Sequence, residues 1–221
     1  MAKIFTLEQR ILKRNSEVAE QNRRLLDSRG VYAVSLASSP GSGKTTLLEK
    51  CLKLLREQVR VGVIEGDVQT DRDAQRIEAL GVPVVQIVTN GTCHLDAAMV
   101  EGALEGVKLE DLDLLLIENV GNLVCPASYD LGEHLRVVLS SITEGEDKPL
   151  KYPAMYRRSR ALVLTKLDLL PHLRYDLKAA RAYALRVNPS LEIFETSSFS
   201  GEGIEKFCRW LLEQMADRTA A

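Results

Sequence analysis

No segment of this chain approaches the roughly 20 consecutive apolar residues that a bilayer-spanning helix needs, and Met1-Ala2-Lys3-Ile4-Phe5-Thr6-Leu7-Glu8 has no apolar core of signal-peptide length. A soluble, intracellular protein of the cytoplasm, without a membrane partner, is therefore expected. Charge of one sign is not in excess either: 29 Lys and Arg are scattered among 31 Asp and Glu, for a formal net charge of -2. With no basic field to neutralise phosphates, a nucleic-acid partner is not expected. Internal repeats and low-complexity tracts are absent. Only 4 cysteines and 3 histidines occur, so each one deserves placing. In a reducing compartment the cysteines are expected to be thiols, in the core or on a metal.

What is present is 45% hydrophobic content over 221 residues, enough for one sizeable core and too little for two comfortable ones. The pattern predicts a mostly charged helix from Thr6 to about Ser28, opened by the capping box Thr6-Leu7-Glu8-Gln9 and docking as an N-terminal arm. Strands over 31–37, 60–65, 84–88, 112–118, 136–142, 161–164 and 191–195 then alternate with helices over 43–57, 71–79, 95–104, 175–187 and 203–215. This order predicts an α/β fold, a mostly parallel central sheet with helices on both faces and active residues at the strand C-termini. The expected division is a helix over 1–29 and a nucleotide-hydrolysing domain over 30–217. The run 145–153, with its charges and two prolines, reads as a surface connection.

Behind the first strand stands Ser39-Pro40-Gly41-Ser42-Gly43-Lys44-Thr45-Thr46, with Ser38 where the usual phosphate-loop pattern has glycine. Gly41 and Gly43 let the backbone curl so that amide N–H groups, Ser42 among them, converge on a phosphate, aided by the positive end of the next helix. Lys44 then reaches the outer phosphates and Thr45 a magnesium ion. Leu47, Leu48, Cys51, Leu52 and Leu55 repeat at helical spacing straight afterwards, which favours this reading over a chance Gly-Ser turn.

Three further strand ends complete a nucleotide site. Asp67 ends the second strand, where a carboxylate can hold magnesium or orient an attacking water. Glu118 ends the most apolar strand and leads into Asn119-Val120-Gly121, which resembles the Asp-x-x-Gly switch of GTPases. Thr165-Lys166-Leu167-Asp168 resembles the guanine-reading Asn-Lys-x-Asp element. Asp168 can accept from both the ring N–H and the exocyclic amine of guanine, and adenine offers neither. A polar group left unpaired there costs about 1–3 kcal/mol, which sets the preference. Ser197 and Ser198 follow the last strand, where backbone groups can meet the base.

Cys51 and Cys208 lie on apolar helix faces and read as packing. Cys93-His94 and Cys125 lie at strand-to-helix turns. Thiolates with an imidazole suit nickel or zinc, while buried thiols and a capping histidine are the alternative. Three ligands leave a tetrahedral site open, so the ion is exposed or shared across a symmetric dimer. His134 and His172 read as surface or supporting residues.

Taken with Gly91-Thr92-Cys93-His94-Leu95, with Ile117 to Pro126 and with Thr143 to Pro153, these motifs resemble the hydrogenase nickel-incorporation GTPases, the HypB family of SIMIBI-type P-loop GTPases, over nearly the whole chain. The resemblance implies a GTP-dependent homodimer that turns GTP slowly into GDP and phosphate with Mg2+. It also implies Ni2+, or Zn2+ in the same place, at Cys93, His94 and Cys125, and transfer with the chaperone HypA toward the hydrogenase large subunit. Lys44, Asp67 and Glu118 are the expected catalytic residues, with Thr45, Asp67 and Glu118 on magnesium. Gly41 to Thr46, Lys166, Asp168, Ser197 and Ser198 are expected on the nucleotide. The residues before Gly30 hold no cysteine or histidine, so no nickel-storing tract is expected among them. The urease nickel-insertion GTPases have a proline between cysteine and histidine, and here Cys93 and His94 are adjacent. A zinc-stabilised regulatory nucleotide binder is the rival from another class.

Overall fold

The computed structural model describes residues 7–69 and 72–219. Helix α1 (Leu7–Ser28) precedes β1 (Tyr32–Ser38), α2 (Lys44–Leu55), β2 (Val61–Asp67), α3 (Arg72–Glu78), β3 (Val84–Val88) and α4 (Ala97–Leu104). Then come β4 (Leu114–Glu118), β5 (Leu135–Ser141), α5 (Lys148–Lys151), α6 (Pro153–Arg158), β6 (Ala161–Thr165), α7 (Leu177–Val187), β7 (Glu192–Glu195) and α8 (Ile204–Thr219). The seven strands form one sheet in the order β3-β2-β4-β1-β5-β6-β7, and each ladder is parallel. The expected α/β sheet is what forms.

Strand alternation decides which helix covers which face. Tyr32, Val34 and Leu36 of β1 point into a core shared with α2, Ile77 of α3 and α8. Ala33 points the other way, into a core with Leu26 of α1 and Val100 and Leu104 of α4, and Ala37 joins Met155, Tyr156 and Ala184 from α6 and α7. A sheet covered on both faces needs apolar residues at successive positions, and Leu114, Leu115, Leu116 and Ile117 of β4 are all buried. Neighbours of β1 lie on both sides of it, so the chain direction reverses there and a crevice opens at the strand C-termini. The phosphate loop leaves β1 at that point.

The 145–153 run, read as a surface connection, is helical: it folds into α5 and the start of α6, each with proline in its first turn. Proline there needs no N–H and presets φ for a helix. His134 is not a surface residue. Its side chain is 4% exposed; Nδ1 accepts from Ala33 N at 2.8 Å and Nε2–H donates to Asp27 Oδ1 at 3.0 Å. It ties α1 to the sheet, together with Asn22 Nδ2, which donates to Ala97 O (2.9 Å) and Leu131 O (3.1 Å). The capping residue Thr6 lies outside the described residues. None of the described helices is long and apolar enough to cross a membrane.

Candidate functional site

A cavity of ≈ 520 Å³ lies over the C-terminal ends of β1, β2 and β4, with Gly41, Gly43, Lys44, Thr45, Thr46, Asp67, Glu118 and Lys166 in its wall. Gly41 and Gly43 take left-handed φ values of 71° and 87°, and α2 begins at Lys44 with its free amides facing the loop. Lys44 Nζ donates to Ser38 Oγ at 3.1 Å and stands 3.8 Å from Glu118 Oε1. The serine in place of the usual glycine therefore holds the lysine that reaches for phosphate. Gly121 closes the far side of the loop: a Cβ there would lie 2.9 Å from Pro40 Cα, so only glycine lets the switch segment touch the phosphate loop.

The loop is braced from three directions. Thr165 Oγ1 donates to Ser42 O at 2.7 Å, which supplies the bracing that an asparagine amide gives in the usual guanine element. Lys166 Nζ donates to Gly41 O at 2.7 Å. Ser42 Oγ donates to Glu144 Oε1 at 2.7 Å, while Lys148 of α5 pairs with Glu144 Oε2 at 2.7 Å and donates to Ser39 Oγ at 2.9 Å. Glu144 and Lys148 lay inside the Thr143–Pro153 motif but were given no role, because nothing local shows that this segment folds onto the phosphate loop.

Beyond Lys166, Asp168 Oδ1 accepts from Ser197 Oγ, and Leu167 N donates to Thr196 O at 3.1 Å. Asp168, Ser197 and Ser198 are thus neighbours at the ends of β6 and β7, outside the wall of the main cavity.

At the other end, Thr45 Oγ1 donates to Glu118 Oε1 at 2.9 Å. Glu118 is the ladder partner of Glu65, so the register of β2 on β4 sets two carboxylates side by side on one face. Burial and the neighbouring Glu118 charge push Glu65 up to about 11. Burial likewise raises Glu118, against the opposing pull of Lys44. Glu65, Asp73 and Glu118 bring one carboxylate oxygen each within 4.8 Å of one another, and Oε2 of both glutamates is buried without a hydrogen-bond partner. Hard oxygen donors with unsatisfied lone pairs beside a phosphate loop fit Mg2+. Asp67 faces the same cavity but is not in that cluster; its Oδ1 accepts from Gln69 N at 2.8 Å. Glu65 and Asp73 escaped the sequence reading, although a lone acid inside an apolar strand was the available signal for Glu65.

The second constellation gathers as the sequence suggested. Cys93 Sγ and Cys125 Sγ are 3.3 Å apart, and with His94 they place one ligand atom each within 4.8 Å. Cys93 is exposed and Cys125 half-buried. The His94 ring packs on Tyr129 at 4.0 Å, burial lowers its pKa, and its buried Nδ1 has no hydrogen-bond partner. A neutral imidazole with a free nitrogen beside two thiols is a donor set for a borderline divalent ion. Cys51 and Cys208 are buried in the core, as expected, and His172 is exposed.

The two constellations touch. Asn119, next to Glu118, accepts from Leu95 N at 3.1 Å, and Asn122 Nδ2 donates to Cys93 O at 3.2 Å. One continuous stretch, Glu118 to Cys125, thus runs from the phosphate cavity to the thiols.

Residues 32–195 match the CobW/HypB/UreG, nucleotide-binding domain. The chain is 50% identical over 222 residues to the hydrogenase maturation factor HypB of Azotobacter vinelandii, covering 100% of this chain and 73% of that protein. It is 48% identical over 212 residues to HypB of Escherichia coli (strain K12), covering 96% and 73%. HypB from Helicobacter pylori, solved in complex with nickel, superposes with a TM-score of 0.89 at 39% identity over 93% of this chain and 96% of that one. HypB from Archaeoglobus fulgidus gives 0.86 at 38% identity over 92% and 99%. With the phosphate loop, the parallel sheet and the thiol-imidazole cluster all in place, the chain belongs to the HypB hydrogenase maturation factors of the CobW/HypB/UreG nucleotide-binding family.

Proposed function

We propose that this chain is a GTP-hydrolysing metallochaperone that carries nickel at Cys93, His94 and Cys125 and releases it, under control of the bound nucleotide, during maturation of a [NiFe]-hydrogenase. The observation that carries this reading is the continuity from Glu118 through Asn119 and Asn122 to the thiols. A switch segment that senses phosphate through Gly121 has to move with one wall of the metal site. The nickel complex of the H. pylori relative supports the choice of cargo; zinc takes the same ligands.

In this reading the loop amides and α2 hold the phosphates, and Lys44 leaves Ser38 and Glu118 for the β,γ-bridging region. Asp168, held by Ser197, reads guanine. Thr45 and Glu118, with Glu65 and the half-buried Asp73, would hold Mg2+, which when bound neutralises charge on the phosphates. Asp67 orients the water whose oxygen attacks the γ-phosphorus as the bond to GDP breaks, its proton ending on the released phosphate.

Three protein ligands leave the cargo open on one side, so a second copy of the chain faces it in a GTP-dependent homodimer. The GTPase unit spans 30–217, with α1 (Leu7–Ser28) docked on it. Transfer proceeds with HypA to the hydrogenase large subunit, in the cytoplasm. Titration of the purified chain with GTP, ATP and NiCl2 tests the reading. It predicts GTP hydrolysis with Mg2+, no comparable ATP turnover, and nickel binding lost in Cys125→Ala. Nickel binding that survives Cys125→Ala contradicts it.

A further inference from the structure

Arg136 lies in β5, inside the sheet, with its side chain 7% exposed. Its Nε donates to Glu133 Oε1 at 2.8 Å. That oxygen also accepts from Ser35 Oγ of β1 at 3.0 Å, while Glu133 Oε2 accepts from Leu131 N at 2.8 Å. Nη2 donates to that same Glu133 Oε1 at 2.5 Å, and Nη1 and Nη2 also reach the following turn. Nη1 donates to Pro126 O at 3.1 Å and Nη2 to Tyr129 O at 2.7 Å. Arg158, at the end of α6, donates to Ala127 O at 2.5 Å. Two arginines therefore take the carbonyls of Pro126, Ala127 and Tyr129, a stretch with no strand ladder to satisfy them.

That stretch begins at Cys125 and ends on the Tyr129 ring that lies against His94. A charged pair buried in a sheet is poor evidence of a stability device, because well-packed apolar residues of similar volume serve as well or better. What a planar two-pronged guanidinium adds is direction: it fixes two carbonyls of one turn relative to each other and to the sheet, which an ammonium cannot. We propose that Arg136 is a positioning residue of the metal site. It sets the Cys125 sulfur opposite Cys93, and through Tyr129 the His94 ring, so that the three donors converge. Arg158 supports the same turn at Ala127. The inference rests on the reading above that the cargo ion sits at Cys93, His94 and Cys125.

The test is titration of the full chain with Co2+, followed by its thiolate-to-metal charge-transfer and d–d absorption, with Ni2+ and GDP affinities measured alongside. Arg136→Lys keeps the charge and loses the fork. It is expected to weaken both metals by about 10- to 100-fold, the range for residues that orient metal ligands, and to shift the Co2+ spectrum while GDP affinity stays within about twofold. Arg158→Gln leaves the buried pair untouched and is expected to weaken metal several-fold, which decides the matter if Arg136→Lys does not fold. Wild-type Co2+ affinity and spectrum in the folded variants overturn the inference. A charge-transfer band of undiminished intensity in Cys125→Ala, at wild-type affinity, overturns instead the metal reading beneath it, and this proposal with it.

Discussion

Leu95 N donates to Asn119 Oδ1 at 3.1 Å, both groups buried, so the residue after the Cys93-His94 pair is held by the residue after Glu118. Asn119 N in turn donates to Leu36 O of β1, which anchors the joint to the strand that carries the phosphate loop. Asn119→Ala leaves the Leu95 N–H buried and unpaired, at about 1–3 kcal/mol. The expected result is a lower melting temperature and a nickel affinity that no longer distinguishes GTP from GDP, with hydrolysis retained. Nickel titration in each nucleotide state checks it.

The two sites, although joined, are expected to be separable by mutation. Lys44→Ala removes the cation beside Glu118 and is expected to lower turnover by about 100-fold or more, the scale of losing one charge-stabilising donor, while nickel still binds the nucleotide-free protein. Cys125→Ala is expected to do the reverse. Phosphate release and metal stoichiometry on both variants measure this.

Gly121→Ala pushes a methyl group against Pro40, whose Cα and N would lie 2.9 and 3.0 Å from it. Backbone cannot step aside as a side-chain tip can. At about 1–3 kcal/mol of overpacking, GTP and GDP affinity should fall by about tenfold or more, read by calorimetry, with nickel binding to the nucleotide-free protein little changed.

Features written in local spacing were legible before the structure. The phosphate loop announces itself because strand, glycines and helix are consecutive, and the apolar run of β4 because its neighbours bury both faces. Cys93, His94 and Cys125 stood out as soft donors at turns, though their convergence needed β2, β4 and α4 in place. Glu65 was not legible, because its meaning comes from its ladder partner Glu118 on a distant strand. The roles of Glu144 and Lys148 were hidden because their partners, Ser42 and Ser39, lie on the distant phosphate loop. The helices that Pro149 and Pro153 open were not legible, because a proline in a first turn and a proline in a loop look alike in the sequence. His134 read as a surface or supporting residue because what covers it, α1 and the Tyr32 ring, lies far off in the sequence.

Burial of His134, and then the Arg23 charge, lower its pKa from 6.5 to about 4. Between those values the unfolded chain binds a proton that the folded chain refuses. The stabilisation is thus complete above pH 6.5 and is lost as pH falls toward 4. On the order of 3 kcal/mol is at stake. His134→Gln, which keeps an acceptor and a donor, is expected to flatten this part of the stability curve in urea melts between pH 4 and pH 7, other acid-sensitive groups remaining.

The central claim is that nucleotide state sets the hold on nickel. Ni2+ affinity of the wild-type chain, measured with Mg2+ and either GDP or a non-hydrolysable GTP analogue, tests it most directly. The account predicts affinities that differ by about tenfold or more, the lower end of a coupling of roughly 1–3 kcal/mol. Equal affinity in the two nucleotide states contradicts it.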